Sequence, residues 1–188
     1  MLVLASASPR RRELLEQAGF TFEVEAISVD ETRRPGEAPE DYVQRLAREK
    51  AEAVVRARQK RVESASLVLG ADTAVVCDDL VLGKPLDEDD AFQMLRLLSG
   101  QTHRVLTGVC LISSAGVRIA VDSTQVTMRP ISDEEIRSYI ASGEPRDKAG
   151  AYAIQGRAAR WIPRIEGCYF NVVGLPLARV SAMIDDLE

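Results

Sequence analysis

Three consecutive arginines, Arg10, Arg11 and Arg12, follow Ser8-Pro9 in the stretch LASASPRRRELL (Leu4 to Leu15), where an apolar run gives way to a helical pattern. Ser8 reads as an N-cap and Pro9 as the first helical residue, which puts the arginines in the first turn. Backbone N–H groups there already carry positive partial charge, so each cation is disfavoured by ~0.3–1 kcal/mol unless an anion offsets it. Side-chain oxygens of Ser6 and Ser8 and the helix-terminal donors converge on the same spot. Together these groups describe a cradle for a polyphosphate. The alternative is a solvated basic patch, because arginine is itself a good helix former.

Lys50 falls on the apolar stripe Val43, Leu46, Ala47, Ala51 and Val54 of a long helical pattern, so it must either snorkel to water or meet an anion. Asp72 interrupts the run Leu67 to Val76, which otherwise reads as a buried strand. A carboxylate in that setting holds a metal, pairs with a cation or takes part in catalysis; the other reading is a turn cap at the strand end. Lys84, across the hairpin expected at Asp78-Asp79, is a candidate partner for it. The acidic pair Asp30-Glu31 ends an extended stretch and offers hard oxygen ligands for magnesium or manganese, or is simply solvated. With His103 as the only histidine, paired-histidine metal motifs are excluded and a Ser-His-Asp triad would need that one ring. Neither a Walker A sequence nor GxGxxG follows a strand. What remains is a set of parts for metal-assisted attack of water on a phosphoric anhydride. In that chemistry a carboxylate takes the proton while Arg and Lys stabilise the leaving pyrophosphate.

The elements that must position these groups alternate between strand and helix signals, which predicts an α/β protein with a mixed sheet flanked by helices. A first strand leads into a helix from Pro9 to Ala18 that stops at Gly19, and Thr21 to Val29 reads as extended. A long helix is expected from Pro39 to Arg58, a central strand from Leu67 to Cys77 and a helix capped by Asp87 and running to Leu98. Two strands, Arg104 to Ile112 and Val117 to Met128, precede a capping box at Ser132 and Glu135. The helix it opens stops at Gly143, the stretch Glu144 to Gly167 reads as a functional loop, and Tyr169 to Val173 reads as a last strand before a C-terminal helix.

A chain of 188 residues with 46% hydrophobic content is expected to form a single domain, with room for two lobes. Its net charge of −5 argues against nucleic acid or an anionic membrane as a partner, and places the basic charge locally. Cys77, Cys110 and Cys168 are odd in number and far apart, so neither disulfides nor a zinc site is expected and a reducing cytoplasm fits. The apolar start lacks a basic n-region, and no stretch approaches the ~20 apolar residues of a membrane span.

Along nearly its whole length the chain resembles the Maf family of nucleoside triphosphate pyrophosphatases. The matching segments, in order, are LASASPRRRELL, Asp30-Glu31, Lys50, GADT (Gly70 to Thr73), LGKP (Leu82 to Pro85), LSGQTHRVLTGV (Leu98 to Val109), GEPRDKAGAYAIQG (Gly143 to Gly156) and NVVGLPL (Asn171 to Leu177). The resemblance implies a Maf/ITPase-like fold with a cleft between two lobes, conversion of a nucleoside triphosphate to monophosphate and pyrophosphate, a divalent metal cofactor and a homodimer. It makes Asp72 the proton acceptor and Arg10, Thr73 and Gln155 the substrate selectors. Ser8, Arg11, Arg12, Glu31, Lys50 and Lys84 become phosphate or metal contacts, with Glu31 and Asp72 as the metal ligands and Glu31 and Lys84 beside Asp72 in the catalytic set. The segment DKAGAYAIQG is similar to that of the subfamily acting on dTTP and UTP. The Gln155 amide offers a donor and an acceptor to the O4 and N3–H edge of uracil or thymine. Activity on 7-methyl-GTP, ITP or XTP, or a non-catalytic nucleotide-binding role in cell division, are the competing readings. Arg157, Arg160 and Arg164 read as solvated loop charge.

Overall fold

The computed structural model describes residues 1–61 and 67–186. Its centre is a mixed seven-stranded sheet flanked by helices, with strands β1 (Leu2–Ala5), β2 (Phe22–Val24), β3 (Leu67–Cys77), β4 (Leu80–Leu82), β5 (Thr102–Ser113), β6 (Gly116–Thr127) and β7 (Arg164–Glu166). The order is β2-β1-β3-β5-β6-β7, with β4 pairing on β3. β1 lies parallel to both β2 and β3, whereas β4 and β7 run antiparallel to their neighbours. The helices are α1 (Pro9–Gln17), α2 (Pro39–Lys60), α3 (Glu88–Leu98), α4 (Asp133–Ile140), α5 (Tyr169–Val173) and α6 (Leu177–Asp185). None is long and apolar enough to cross a membrane among the described residues.

Two compact units share this chain. The first comprises Met1–Asp72, Thr107–Asp122 and Gly174–Glu188. Its core joins Val3 and Ala5 of β1, Ala47, Ala51 and Val54 of α2, Val68 of β3 and Cys110 of β5. The apolar stripe of α2 is thus the face that meets the sheet, as its 3.6-residue period dictates. Gly70 and Gly108 bring the helix unusually close. A Cβ on Gly70 would lie 2.1 Å from the Ala47 carbonyl oxygen, and one on Gly108 2.3 Å from that of Val43.

The second unit comprises Thr73–Leu106 and Ser123–Val173. Its core includes Leu95 and Leu98 of α3, Ile136 and Tyr139 of α4, and Trp161, whose ring meets Tyr139 edge-on at 5.0 Å. The β3–β4 hairpin turns through Asp78 and Asp79, both at positive φ (46° and 66°), the conformation of a type I′ turn. Asp87 caps α3 through the Asp90 amide, and Ser132 and Glu135 form the expected capping box on α4.

The end of the chain departs from expectation. Tyr169 to Val173 is a short helix and not a strand, because the buried Asn171 turns inward, where its Nδ2 donates to the Val105 carbonyl and to Thr124 Oγ1, each at 2.9 Å. The strand at this sheet edge is instead Arg164–Glu166, three residues of mostly charged sequence whose period is too short to read. Extended pairing after Thr21 is also shorter than expected, being limited to Phe22–Val24 with one further bond from the Glu25 amide to the Leu4 carbonyl.

Candidate active site

Asp72 sits two residues beyond Gly70 on β3, so both occupy the sheet face that α2 covers. Lys50 lies one turn beyond Ala47 on the facing stripe of α2. The close approach at Gly70 brings the two together. Lys50 Nζ is 2.6 Å from Asp72 Oδ1 and 2.6 Å from Glu31 Oε1. Lys50 therefore meets an anion and does not snorkel. Asp72 is 8% exposed, and burial raises its pKa above the ordinary 3.8, against the opposing pull of Lys50 and Arg11. The Glu31 side chain keeps 53% of its surface exposed, which makes it the open side of the cluster.

The two members of the acidic pair have separate tasks. Asp30 accepts from the Thr32 amide at 2.9 Å and thereby shapes its own loop, whereas Glu31 faces Lys50. The loop is fastened to α2 by a forked pair in which Arg45 donates to both carboxylate oxygens of Glu37, at 2.5 and 2.9 Å, and also to the Thr32 carbonyl. Tyr42 adds a bond from its hydroxyl to the Glu31 carbonyl at 3.0 Å. Its phenol pKa is raised by burial and then by the charges of Asp72 and Glu31. Neither Tyr42 nor the Glu37–Arg45 pair stood out in sequence. The available signal was that residues 42, 46 and 50 follow the i, i+4, i+8 spacing of one helix face.

The arginine triplet is divided by helix geometry. Arg11 is buried, and its guanidinium donates to Ser6 Oγ at 3.0 Å, the Ala71 carbonyl at 2.9 Å and the Gly174 carbonyl at 2.8 Å. Burial lowers its pKa, while the nearby charges of Asp72 and Glu31 raise it. Arg12 points outward, 3.6 Å from Glu16. Arg10 is half-buried and close enough to Arg11 to affect its titration. Ser8 occupies the N-cap position in extended conformation, but its side chain makes no capping bond. Its amide instead donates to Ser6 Oγ at 3.3 Å.

Thr73, Lys84 and Gln155 belong to the second unit. Lys84 is exposed just after β4. The segment that leads to Gln155 is anchored to the same hairpin, since the Gly150 amide donates to the Gly83 carbonyl at 3.0 Å. Gly150 has φ +68°, and a Cβ there would meet the Val75 side chain at 2.9 Å. Tyr152 is held by a bond of 2.7 Å between its hydroxyl and His103 Nε2. Gln155 itself is exposed, on a turn closed by the Gly156 amide and the Ala153 carbonyl at 3.0 Å.

Among the described residues no group of three or more His, Cys, Asp or Glu converges to hold a metal. Glu31 and Asp72 are two hard carboxylates brought together at Lys50, each giving one oxygen to its ammonium. That donor set suits a cation such as magnesium, which retains waters and takes phosphate oxygens to complete its shell.

The sheet carries on β3 a buried carboxylate, Asp72, that faces the Lys50 ammonium of α2. The structure of the Staphylococcus aureus Ham1 protein superposes with a TM-score of 0.54 over 100% of this chain and 99% of that one, and at 10% identity the likeness is one of fold alone. In sequence, a dTTP/UTP pyrophosphatase of Koribacter versatilis is 55% identical over 183 residues, covering 97% of this chain and 92% of that protein. A dTTP/UTP pyrophosphatase of Syntrophomonas wolfei subsp. wolfei is 51% identical over 183 residues, covering 96% and 94%. The model of the Maf-like protein family matches residues 1–187, and the chain belongs to that family.

Proposed function

We propose that this protein hydrolyses dTTP and UTP at the α–β phosphoric anhydride, consuming one water and releasing the nucleoside monophosphate and pyrophosphate. The observation that carries the reading is the buried Asp72 carboxylate, joined through Lys50 to the exposed Glu31. Asp72 accepts the proton of the attacking water. Burial makes it a stronger base than a solvated aspartate, while Lys50 holds it ionised and oriented. Glu31 and Asp72 are the residues that would hold a divalent cation, magnesium or manganese, which when bound neutralises phosphate charge and acidifies water. Ser8, Arg10, Arg12 and the first turn of α1 bind the polyphosphate, and Lys84 contributes charge to the leaving pyrophosphate. Arg11 acts on the same anion from behind, through its charge and by fixing Ser6, Ala71 and Gly174. Arg10, Thr73 and Gln155 select the substrate, with the Gln155 amide reading O4 and N3–H of the base.

The test is pyrophosphate release with magnesium or manganese across dTTP, UTP, CTP, 7-methyl-GTP, ITP and the standard purine triphosphates, with Asp72→Asn alongside. Selective turnover of dTTP and UTP that falls at least ~100-fold in the variant is expected. Preference for 7-methyl-GTP or ITP overturns the specificity, and no turnover overturns the enzyme. Manganese titration followed by electron paramagnetic resonance checks the ligand set separately, because Glu31→Gln is expected to weaken binding in the absence of nucleotide.

We read the protein further as a cytoplasmic homodimer. Three free cysteines, Cys77 and Cys110 among them buried, suit a reducing compartment, and the dimer is what the resemblance to the family implies. Sedimentation equilibrium tests the latter.

A further inference from the structure

Gln155 is exposed, yet the turn that carries it is tied at both ends to one pair of side chains. The Ala153 amide, before the turn, donates to the Tyr139 hydroxyl oxygen at 3.1 Å. The Arg157 amide, after it, donates to both carboxylate oxygens of Glu144, at 3.1 and 3.2 Å. The pair is itself joined, because the Tyr139 hydroxyl donates to Glu144 Oε1 at 2.8 Å. Burial and the neighbouring carboxylate raise the pKa of Tyr139, so it remains a donor at neutral pH.

Three features give this pair a rigid base. Tyr139 is 1% exposed and packs edge-on against the fully buried Trp161. Ile154, the residue before Gln155, is itself buried, so the turn is pinned on its inner side while Gln155 faces out. Gly156 completes the fit. Its φ of −104° is open to any residue, but a Cβ there would lie 2.0 Å from Glu144 Oε1. A side chain at 156 would therefore push the Glu144 carboxylate out of its present place.

We propose that Glu144 and Tyr139 are positioning residues for base recognition, holding the Ala153–Arg157 turn so that the Gln155 side chain projects from a fixed stretch of backbone. The inference rests on the reading of Gln155 as the group that meets the pyrimidine edge. An exposed glutamine on a loose turn loses rotamer freedom on binding and can pair with either cytosine or uracil by rotating its amide. A turn fixed through its backbone removes the backbone share of the ordering cost in advance and sets the distance from which the amide reaches the base, which favours the base whose groups lie at that distance.

The experiment compares steady-state pyrophosphate release from UTP and CTP for the wild type, Glu144→Ala, Glu144→Gln, Tyr139→Phe and Gly156→Ala, with melting temperature measured for each. Glu144→Ala is expected to raise KM for UTP at least ~tenfold with a much smaller change in kcat, and to bring the UTP-over-CTP ratio toward one. Glu144→Gln keeps an oxygen that accepts from Tyr139 and from the Arg157 amide, so it should restore most of the ratio. Tyr139→Phe and Gly156→Ala should resemble Glu144→Ala, and the double variant Glu144→Ala with Gly156→Ala should be no worse than either single one. A folded Glu144→Ala that retains the wild-type ratio overturns the positioning role alone. A wild type that does not distinguish UTP from CTP overturns the reading of Gln155 and the positioning role with it.

Discussion

Arg11 and Arg12 are adjacent and carry the same charge, yet one is a buried strut and the other a surface side chain. Three buried or partly buried oxygens accept from the Arg11 guanidinium, and removing it takes a charged donor from each of them at once. Arg11→Ala is expected to destabilise the fold by about 3 kcal/mol or more, measured by urea unfolding. Arg12→Ala, which loses only an exposed contact with Glu16, should stay within about 0.5 kcal/mol of the wild type while weakening triphosphate binding. An Arg11→Ala protein of unchanged stability would mean that the side chain serves the substrate alone. The same residue-scale logic separates Asp30 from Glu31: the first carboxylate is spent on the Thr32 amide, and only the second reaches Lys50.

At the scale of elements, the separation between α2 and the sheet decides whether Lys50 can reach Asp72. Gly70 and Gly108 set that separation, since any side chain at either position would collide with a carbonyl of the helix. Gly108→Ala is predicted to destabilise by at least ~1–3 kcal/mol, as overpacking does, and to lower kcat because α2 and Lys50 move together. A drop in melting temperature with kcat intact would show that Lys50 tolerates the shift. The β3–β4 hairpin offers the opposite case. Asp79 adopts φ 66°, which glycine accepts without cost, so Asp79→Gly should stabilise by up to about 1 kcal/mol in thermal unfolding.

For the molecule as a whole, acid should erode stability in two windows. Burial lowers the pKa of His103 from 6.5 to about 4, so between those values the unfolded chain binds a proton that the folded chain does not. Stability present above pH 6.5 is therefore lost as pH falls toward 4. Glu37, held as a carboxylate first by the hydrogen bonds of Arg45, titrates at about 2 in place of 4.5, and its contribution fades across that lower range. Melting temperature followed from pH 7 to 3 should fall throughout. His103→Gln is expected to flatten the upper part of the curve and Glu37→Gln the lower part. A wild-type curve that is level between pH 6.5 and 4 would show that the ring is not held neutral.

Much of this protein is written in interactions that span three or four residues, and those were legible in the sequence. The Pro9 start of α1, the Asp87 cap, the Ser132–Glu135 box and the Asp78-Asp79 turn all depend on neighbours along the chain. The stripe of α2 likewise identified Lys50 as out of place, and the apolar run around Asp72 did the same for the carboxylate. Only the tertiary structure decided that these two anomalies answer each other across 22 residues, that Arg11 turns inward to Gly174 at a separation of 163, and that Glu144 braces the Gln155 turn. It also decided the state of Tyr169 to Val173, whose aromatic and β-branched composition favours a strand until Asn171 finds Val105 and Thr124. The reason is physical: local hydrogen bonding and periodicity are fixed by sequence spacing, whereas the partner of a buried charge is chosen by which distant backbone comes within ~3 Å of it.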